Sequence, residues 1–244
     1  MKPWPYPLWL AHRGAGKLAP ENTLAAFRLG AGFGFRAFEC DVKLSRDGEA
    51  FLLHDDTLDR TTSGTGSPAS ADWAGLARLD AGSWHSPPFT AEPLPRLTQI
   101  AAFCHANDCA LNIEIKPCPG FERVTGEVTA LEAERLWAGA AIPPLLSSFK
   151  PEALEGARDA SSTLPRALLL DKLWDGWFEA AEALGVVAVI TNWRLMDAAL
   201  IQRLHAQGWR ALVYTVNGAP VAERLIADGI DGLITDRVDQ LGPV

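Results

Sequence analysis

Two hydrophobic rhythms alternate along this chain. From about residue 96, short runs rich in Val, Ile and Leu are separated by longer stretches in which apolar residues return every three to four positions. The short runs, residues 111–115, 145–149, 166–170, 186–191, 211–216 and 232–235, have the length and composition of strands. The longer stretches, 121–137, 151–159, 174–184, 196–206 and 220–227, read as helices. Pro151 and Pro220 suit a first helical turn, while Gly185, Gly208 and Gly229 stand where left-handed C-terminal caps are expected. Repeated β-α units imply a parallel sheet covered by helices.

The front of the chain adds strands at 8–11, 36–42 and 49–53 and a helix at 24–32. That makes nine strand candidates, one more than an eight-stranded barrel needs. The Ser45-Arg46-Asp47-Gly48 turn explains the surplus, because a parallel crossover needs roughly a dozen or more residues and so short a loop joins antiparallel arms. If those arms fold back about the turn, His54 comes level with Glu39, subject to a slip of one residue. Residues from about 55 to 95 leave the β-α rhythm. They are rich in Ser, Thr, Gly and Pro, with Trp73 and Trp84 interspersed, and read as an ordered irregular insertion capping a barrel mouth.

Composition narrows the setting. The 244 residues, 48% hydrophobic and 21% charged, suit one domain over 1–244 without an internal linker or repeat. A net charge of −8 argues against nucleic acid and against stable association with anionic membranes. An anionic small-molecule substrate must then meet local positive charge, from a metal, Arg13 or Lys116. No stretch approaches the ~18 apolar residues of a membrane span, and the proline-broken start lacks a signal-peptide core, so a cytoplasmic enzyme is expected. Cys40, Cys104, Cys109 and Cys118 have neither Cys-x-x-Cys nor zinc-like spacing and read as reduced, mostly buried thiols.

The candidate chemistry sits at strand ends. Side chains alternate along a strand, so Glu39 and Asp41 share one face opposite Cys40 and Val42, and Glu114 shares a face with Asn112 and Lys116 opposite Ile113 and Ile115. Polar groups facing inward near a strand's C-terminal end mark the mouth of a barrel. Three converging carboxylates repel one another unless a cation joins them, and oxygen-only ligands favour Mg2+ or Ca2+. His12, followed by Arg13, and His54, followed by Asp55, supply the acid and base that cleavage of a phosphodiester requires, with Asp55 or a neighbouring acid orienting a ring. His85, His105 and His205 lack such a setting and read as loop or helix-surface residues.

Eight motifs in order carry a family likeness. His-Arg-Gly (12–14), Pro-Glu-Asn-Thr (20–23), Glu-x-Asp-Val (39–42), Asp-Gly (47–48), His-Asp (54–55), Glu-Ile-Lys (114–116), Tyr-Thr-Val-Asn (214–217) and Asp-Gly-Leu-Ile-Thr-Asp (231–236) resemble the glycerophosphodiester phosphodiesterases. The likeness runs from about residue 8 to 241 and is closest to the short cytosolic bacterial enzymes. It implies a distorted (β/α)8 TIM barrel that hydrolyses glycerophosphodiesters, the deacylated phospholipids, to sn-glycerol 3-phosphate and an alcohol. It also implies a metal on Glu39, Asp41 and Glu114, general acid/base roles for His12 and His54, and phosphate contacts from Arg13 and Lys116. Glu21 is expected to orient these groups, and Trp84 to touch substrate. Two rivals are a phospholipase acting on intact lipid, which needs an apolar rim or basic membrane face, and a barrel that only binds phosphorylated ligands.

Overall fold

Eight parallel strands close on themselves, and a ninth hangs from one of them. The computed structural model describes residues 3–243. Among them lie strands β1 (Trp9–Ala11), β2 (Ala37–Leu44), β3 (Ala50–Leu52), β4 (Ala110–Ile115), β5 (Leu145–Ser148), β6 (Arg166–Leu170), β7 (Ala188–Asn192), β8 (Arg210–Tyr214) and β9 (Gly232–Thr235). The barrel runs β1-β9-β8-β7-β6-β5-β4-β2 and closes where Ala11 of β1 pairs with Phe38 of β2. This is the expected TIM barrel. β3 is the surplus strand, antiparallel to β2 with Val42 opposite Leu52 and Leu44 opposite Ala50. Carried two residues further, that register sets His54 level with Cys40, so the one-residue slip does occur.

The helices are α1 (Leu24–Gly32), α2 (Trp73–Leu76), α3 (Leu97–Ala106), α4 (Glu122–Leu136), α5 (Pro151–Ala160), α6 (Trp177–Leu184), α7 (Ala198–Ala206) and α8 (Ala219–Ala227). Local chemistry starts several of them: Thr23 Oγ1 accepts from Ala26 N–H at 3.2 Å, and Asp197 Oδ1 accepts from Leu200 N–H at 2.8 Å. Gly185, Gly208 and Gly229 all take positive φ just past α6, α7 and α8, as a left-handed cap demands. α3 had no counterpart in the sequence reading. It begins at Arg96, a poor capping residue, whose N–H is instead taken by the Gln99 side chain at 2.9 Å. No helix among the described residues is long and apolar enough to cross a membrane.

Alternation along the strands sorts the core. Outward residues such as Phe38, Val42, Ile113, Leu168, Val189 and Val213 pack beneath the helices in two clusters. Inward residues Leu10, Ala37, Ala110, Leu145, Leu169, Ile190, Leu212 and Ile234 fill the barrel. The segment from 53 to 96 contains only α2 and two short 3-10 turns, yet it has a small core of its own, with Trp73 buried against Phe51, ring centroids 5.8 Å apart. Trp84 remains 39% exposed. All four cysteines are buried and unpaired.

Candidate active site

Most of the groups singled out in the sequence converge around the ends of β1, β3 and β4 and the middle of β2. His12, Arg13, Glu39, His54, Glu114 and Lys116 line one cavity of about 340 Å³, together with Asn112, Phe149, Leu169, Tyr214, Thr215 and Ile234. Glu39 and Asp41 face inward on β2, directly opposite Asn112 and Glu114 on β4. Trp84 is not among the lining residues; its indole N–H goes to Ala81 O, and its ring lies beside Arg60.

His12 and His54 are both tied at Nδ1 to a carboxylate, and His12 Nε2 faces Glu39 Oε2 at 3.8 Å without hydrogen-bonding to it. His12 Nδ1 lies 2.6 Å from Asp236 Oδ1, and Asp236 Oδ2 accepts from Asn217 Nδ2 at 2.8 Å. His54 Nδ1 lies 2.7 Å from Asp55 Oδ1. The turn after β1 that carries His12 is built tightly. Arg13 takes positive φ and donates its backbone N–H to Glu39 Oε2 at 3.1 Å, a costly backbone of the kind that concentrates at functional sites. Gly16 also has positive φ, and a Cβ there would lie 2.2 Å from the Asp236 backbone. Glycine at 16 is what lets the His12 loop meet the carboxylate that holds its ring.

Charge is dense and poorly paired. Arg13 Nε reaches Asp41 Oδ2 at 3.2 Å, its Nη1 reaches Glu21 Oε1 at 2.9 Å, and Lys116 Nζ donates to Glu114 Oε1 at 2.8 Å. Asn22 Nδ2 adds a bond to Asp41 Oδ2 at 2.8 Å. Burial and the neighbouring Asp41 and Glu114 push the Glu39 carboxyl well above its ordinary range. Burial and Asp41 push Glu114 up to about 7. Burial would raise Asp41 too, but Arg13, Lys116 and His54 hold it well below the usual aspartate value. Burial lowers His54 below the ordinary histidine range; Asp41 opposes the shift, while Arg13 and Lys116 add to it.

The three acids suit a hard cation. Glu39, Asp41 and Glu114 each offer an oxygen, all within 4.8 Å of one another. Glu39 Oε1 and Asp41 Oδ1 are buried and accept no hydrogen bond, an expensive arrangement that a divalent ion would relieve.

Comparison with known proteins gives the family. The model of the glycerophosphoryl diester phosphodiesterase family matches residues 12–240. The chain belongs to this family. Within it, the chain is 31% identical to the glycerophosphodiester phosphodiesterase of Caldanaerobacter subterraneus subsp. tengcongensis over 245 residues, 96% of each protein. A phosphodiesterase of Oleispira antarctica, solved with its product sn-glycerol 3-phosphate, matches with a TM-score of 0.88 and 32% identity over 95% of this chain and 93% of that one. The glycerophosphodiester phosphodiesterase of Agrobacterium tumefaciens gives 0.81 and 27% over 95% and 97%. Family membership places this protein among the phosphoric diester hydrolases.

Several groups at the site had no role in the sequence reading. Asp236 and Asn217 lie in motifs that carried the family likeness, but their service to His12 arises only when β9 closes beside β1. Asn112 shared a face with Glu114 in the sequence; here it is buried beside Glu39 with neither amide atom paired. Lys43, the next inward residue of β2, is fully buried and donates to Asp56 Oδ1 and Lys116 O, both at 3.1 Å. Arg60 donates to both Asp55 and Glu21. Its signal was a lone arginine in an otherwise Thr/Ser/Gly-rich loop.

Proposed function

We propose that this enzyme hydrolyses glycerophosphodiesters such as glycerophosphocholine or glycerophosphoethanolamine to sn-glycerol 3-phosphate and an alcohol. The observation that carries the reading is a pair of histidines lining one cavity, each oriented by its own carboxylate, with Arg13 and Lys116 beside them. The product held by the Oleispira antarctica relative is consistent with it.

Arg13 and Lys116 hold the phosphate in this proposal, and Glu21 keeps the Arg13 fork aimed. One histidine takes the proton of the glycerol 2-hydroxyl through Nε2, and that oxygen attacks phosphorus. The other histidine protonates the departing alcohol, and the two exchange roles when water opens the cyclic phosphate. Asp236 and Asp55 fix the tautomer of each ring by accepting at Nδ1. Glu39, Asp41 and Glu114 would hold Mg2+ or Ca2+, which supplies Lewis-acid charge neutralisation when bound. Asn112 is the neutral polar group left for a glycerol hydroxyl, and the apolar wall of Phe149, Leu169 and Ile234 excludes water. Trp84 lines no part of this cavity.

Release of sn-glycerol 3-phosphate from glycerophosphocholine, with and without EDTA and with Mg2+ or Ca2+ added back, tests the reading. Release abolished by EDTA and restored by either ion supports reaction and metal dependence together. No release under any ion overturns it. A cyclic glycerophosphate caught by rapid quench supports attack by the 2-hydroxyl; a 2-deoxy analogue cleaved at full rate overturns that route.

A further inference from the structure

The insertion sends an arginine into the polar network of the site. Arg60 Nε donates to Asp55 Oδ2 at 2.6 Å and Nη2 to Asp55 Oδ1 at 2.9 Å. The same guanidinium gives Nη1 to Glu21 Oε2 at 2.9 Å and Nη2 to Glu21 Oε1 at 2.8 Å. Both carboxylates are engaged by a two-pronged fork, the geometry that separates arginine from lysine. Beyond them the network divides. Asp55 holds His54 Nδ1, whereas Glu21 holds Arg13 Nη1.

We infer that Arg60 is a positioning residue that keeps His54 and Arg13 in mutual register, joining the proton-transfer group to the phosphate-binding group through the insertion. The inference rests on the function proposed above. Arg60 lines no part of the cavity and touches neither the histidine nor the acid triad. Its work is electrostatic and geometric. Its hydrogen bonds hold Asp55 far below the ordinary aspartate range, so Asp55 stays an acceptor for the imidazole. They also keep Glu21 ionised although burial alone would raise it, so Glu21 still faces Arg13 as an anion. A single cation thus maintains two anions, each aiming one working side chain. The Thr/Ser/Gly-rich insertion has a place in the reaction for this reason: its fold determines where the guanidinium stands.

The two arms predict separable defects. Asp55→Asn should lower kcat about 10–100-fold with KM nearly unchanged, since it disturbs the histidine alone. Glu21→Gln should raise KM about 3–10-fold with a smaller change in kcat, since it loosens the phosphate contact. Arg60→Gln should show both defects. Arg60→Lys should recover only part of either, because an ammonium cannot fork to two carboxylates at once. Arg46→Gln removes an ion pair with Asp72 elsewhere in the insertion and should leave both constants within about 2-fold of wild type.

Calorimetric binding of sn-glycerol 3-phosphate gives a readout independent of turnover: Arg60→Gln and Glu21→Gln should weaken it, and Asp55→Asn should not. Arg60→Gln that changes only Tm, or leaves kcat, KM and product affinity at wild-type values, overturns the inference. If the wild type releases no product from glycerophosphocholine, the functional reading fails instead, and unchanged product binding in Arg60→Gln still overturns the inference.

Discussion

The two halves of the barrel interior follow one rule of alternation and end differently. On β6, β7, β8 and β9 the inward positions are Leu169, Ile190, Leu212 and Ile234, and they pack as hydrocarbon. On β2 and β4 the equivalent rows turn from Ala37 and Ala110 at one end to Glu39, Asp41, Asn112 and Glu114 at the other. The apolar half contributes stability: burying such a side chain is worth about 1.5–3 kcal/mol each. The polar half costs stability, holding buried oxygens that accept no hydrogen bond. Chemistry and cohesion are therefore divided around the barrel.

The sharpest way to break this comparison is to remove a histidine. His54→Ala or His12→Ala should lower kcat by ~10²–10⁴ while denaturant midpoints hardly move. An equally large loss from a change on the apolar wall at a position that lines no part of the cavity, such as Ile190, would sink the division. On that wall, Ile190→Ala should cost ~2–5 kcal/mol by urea unfolding and leave kcat within a few-fold. Ile190 is fully buried and lines no part of the catalytic cavity.

A third test uses pH on metal-free protein. Glu39 and Glu114 are raised in the folded state, so the native protein binds more protons there than the unfolded chain, and stability falls as pH rises past their ordinary values. Asp41 is shifted the other way, and its contribution is constant between pH 5 and 8 because it is ionised in both states throughout. The lowered His54 works the other way over part of this range, so metal-free protein should show a net loss of stability between about pH 5 and 8 that is smaller than the two glutamates alone would give, and Mg2+ or Ca2+ should reverse it. A flat profile in thermal unfolding, or one that no divalent ion alters, would remove the argument that the polar half awaits a cation. The smallest expected effect is that of Asp236→Asn, which leaves His12 in place but loosens its ring: kcat should drop ~10–100-fold without change in KM. Wild-type kcat in that variant would show that the His12 ring is held by other contacts.

Much of this was legible in the order of residues. All nine strands fall within a few positions of the runs read from hydrophobic pattern, and the alternation in Glu-Cys-Asp-Val and Asn-Ile-Glu-Ile-Lys put the acids inside and the aliphatics outside. What escaped had no local mark. α3 starts without a Ser, Thr, Asp or Asn cap directly after the insertion, so its boundary carried no punctuation. The hairpin register depended on turn geometry and came out one residue from the expected pairing. Trp73 and Trp84 look alike in sequence, yet one is core and the other stands at the surface.

The sequence by itself determined strand faces, helix caps and which residue types lie at strand ends, because alternation, capping and turn chemistry act between neighbours a few positions apart. Only the tertiary structure decided which groups serve one another. His12 finds Asp236 across 224 residues because barrel closure brings the ends of β9 and β1 together. Arg60 finds Glu21 across 39 because the insertion folds back onto the segment that follows β1. Such partnerships are set by the closure of the sheet and the packing of the insertion, and no spacing along the chain encodes them.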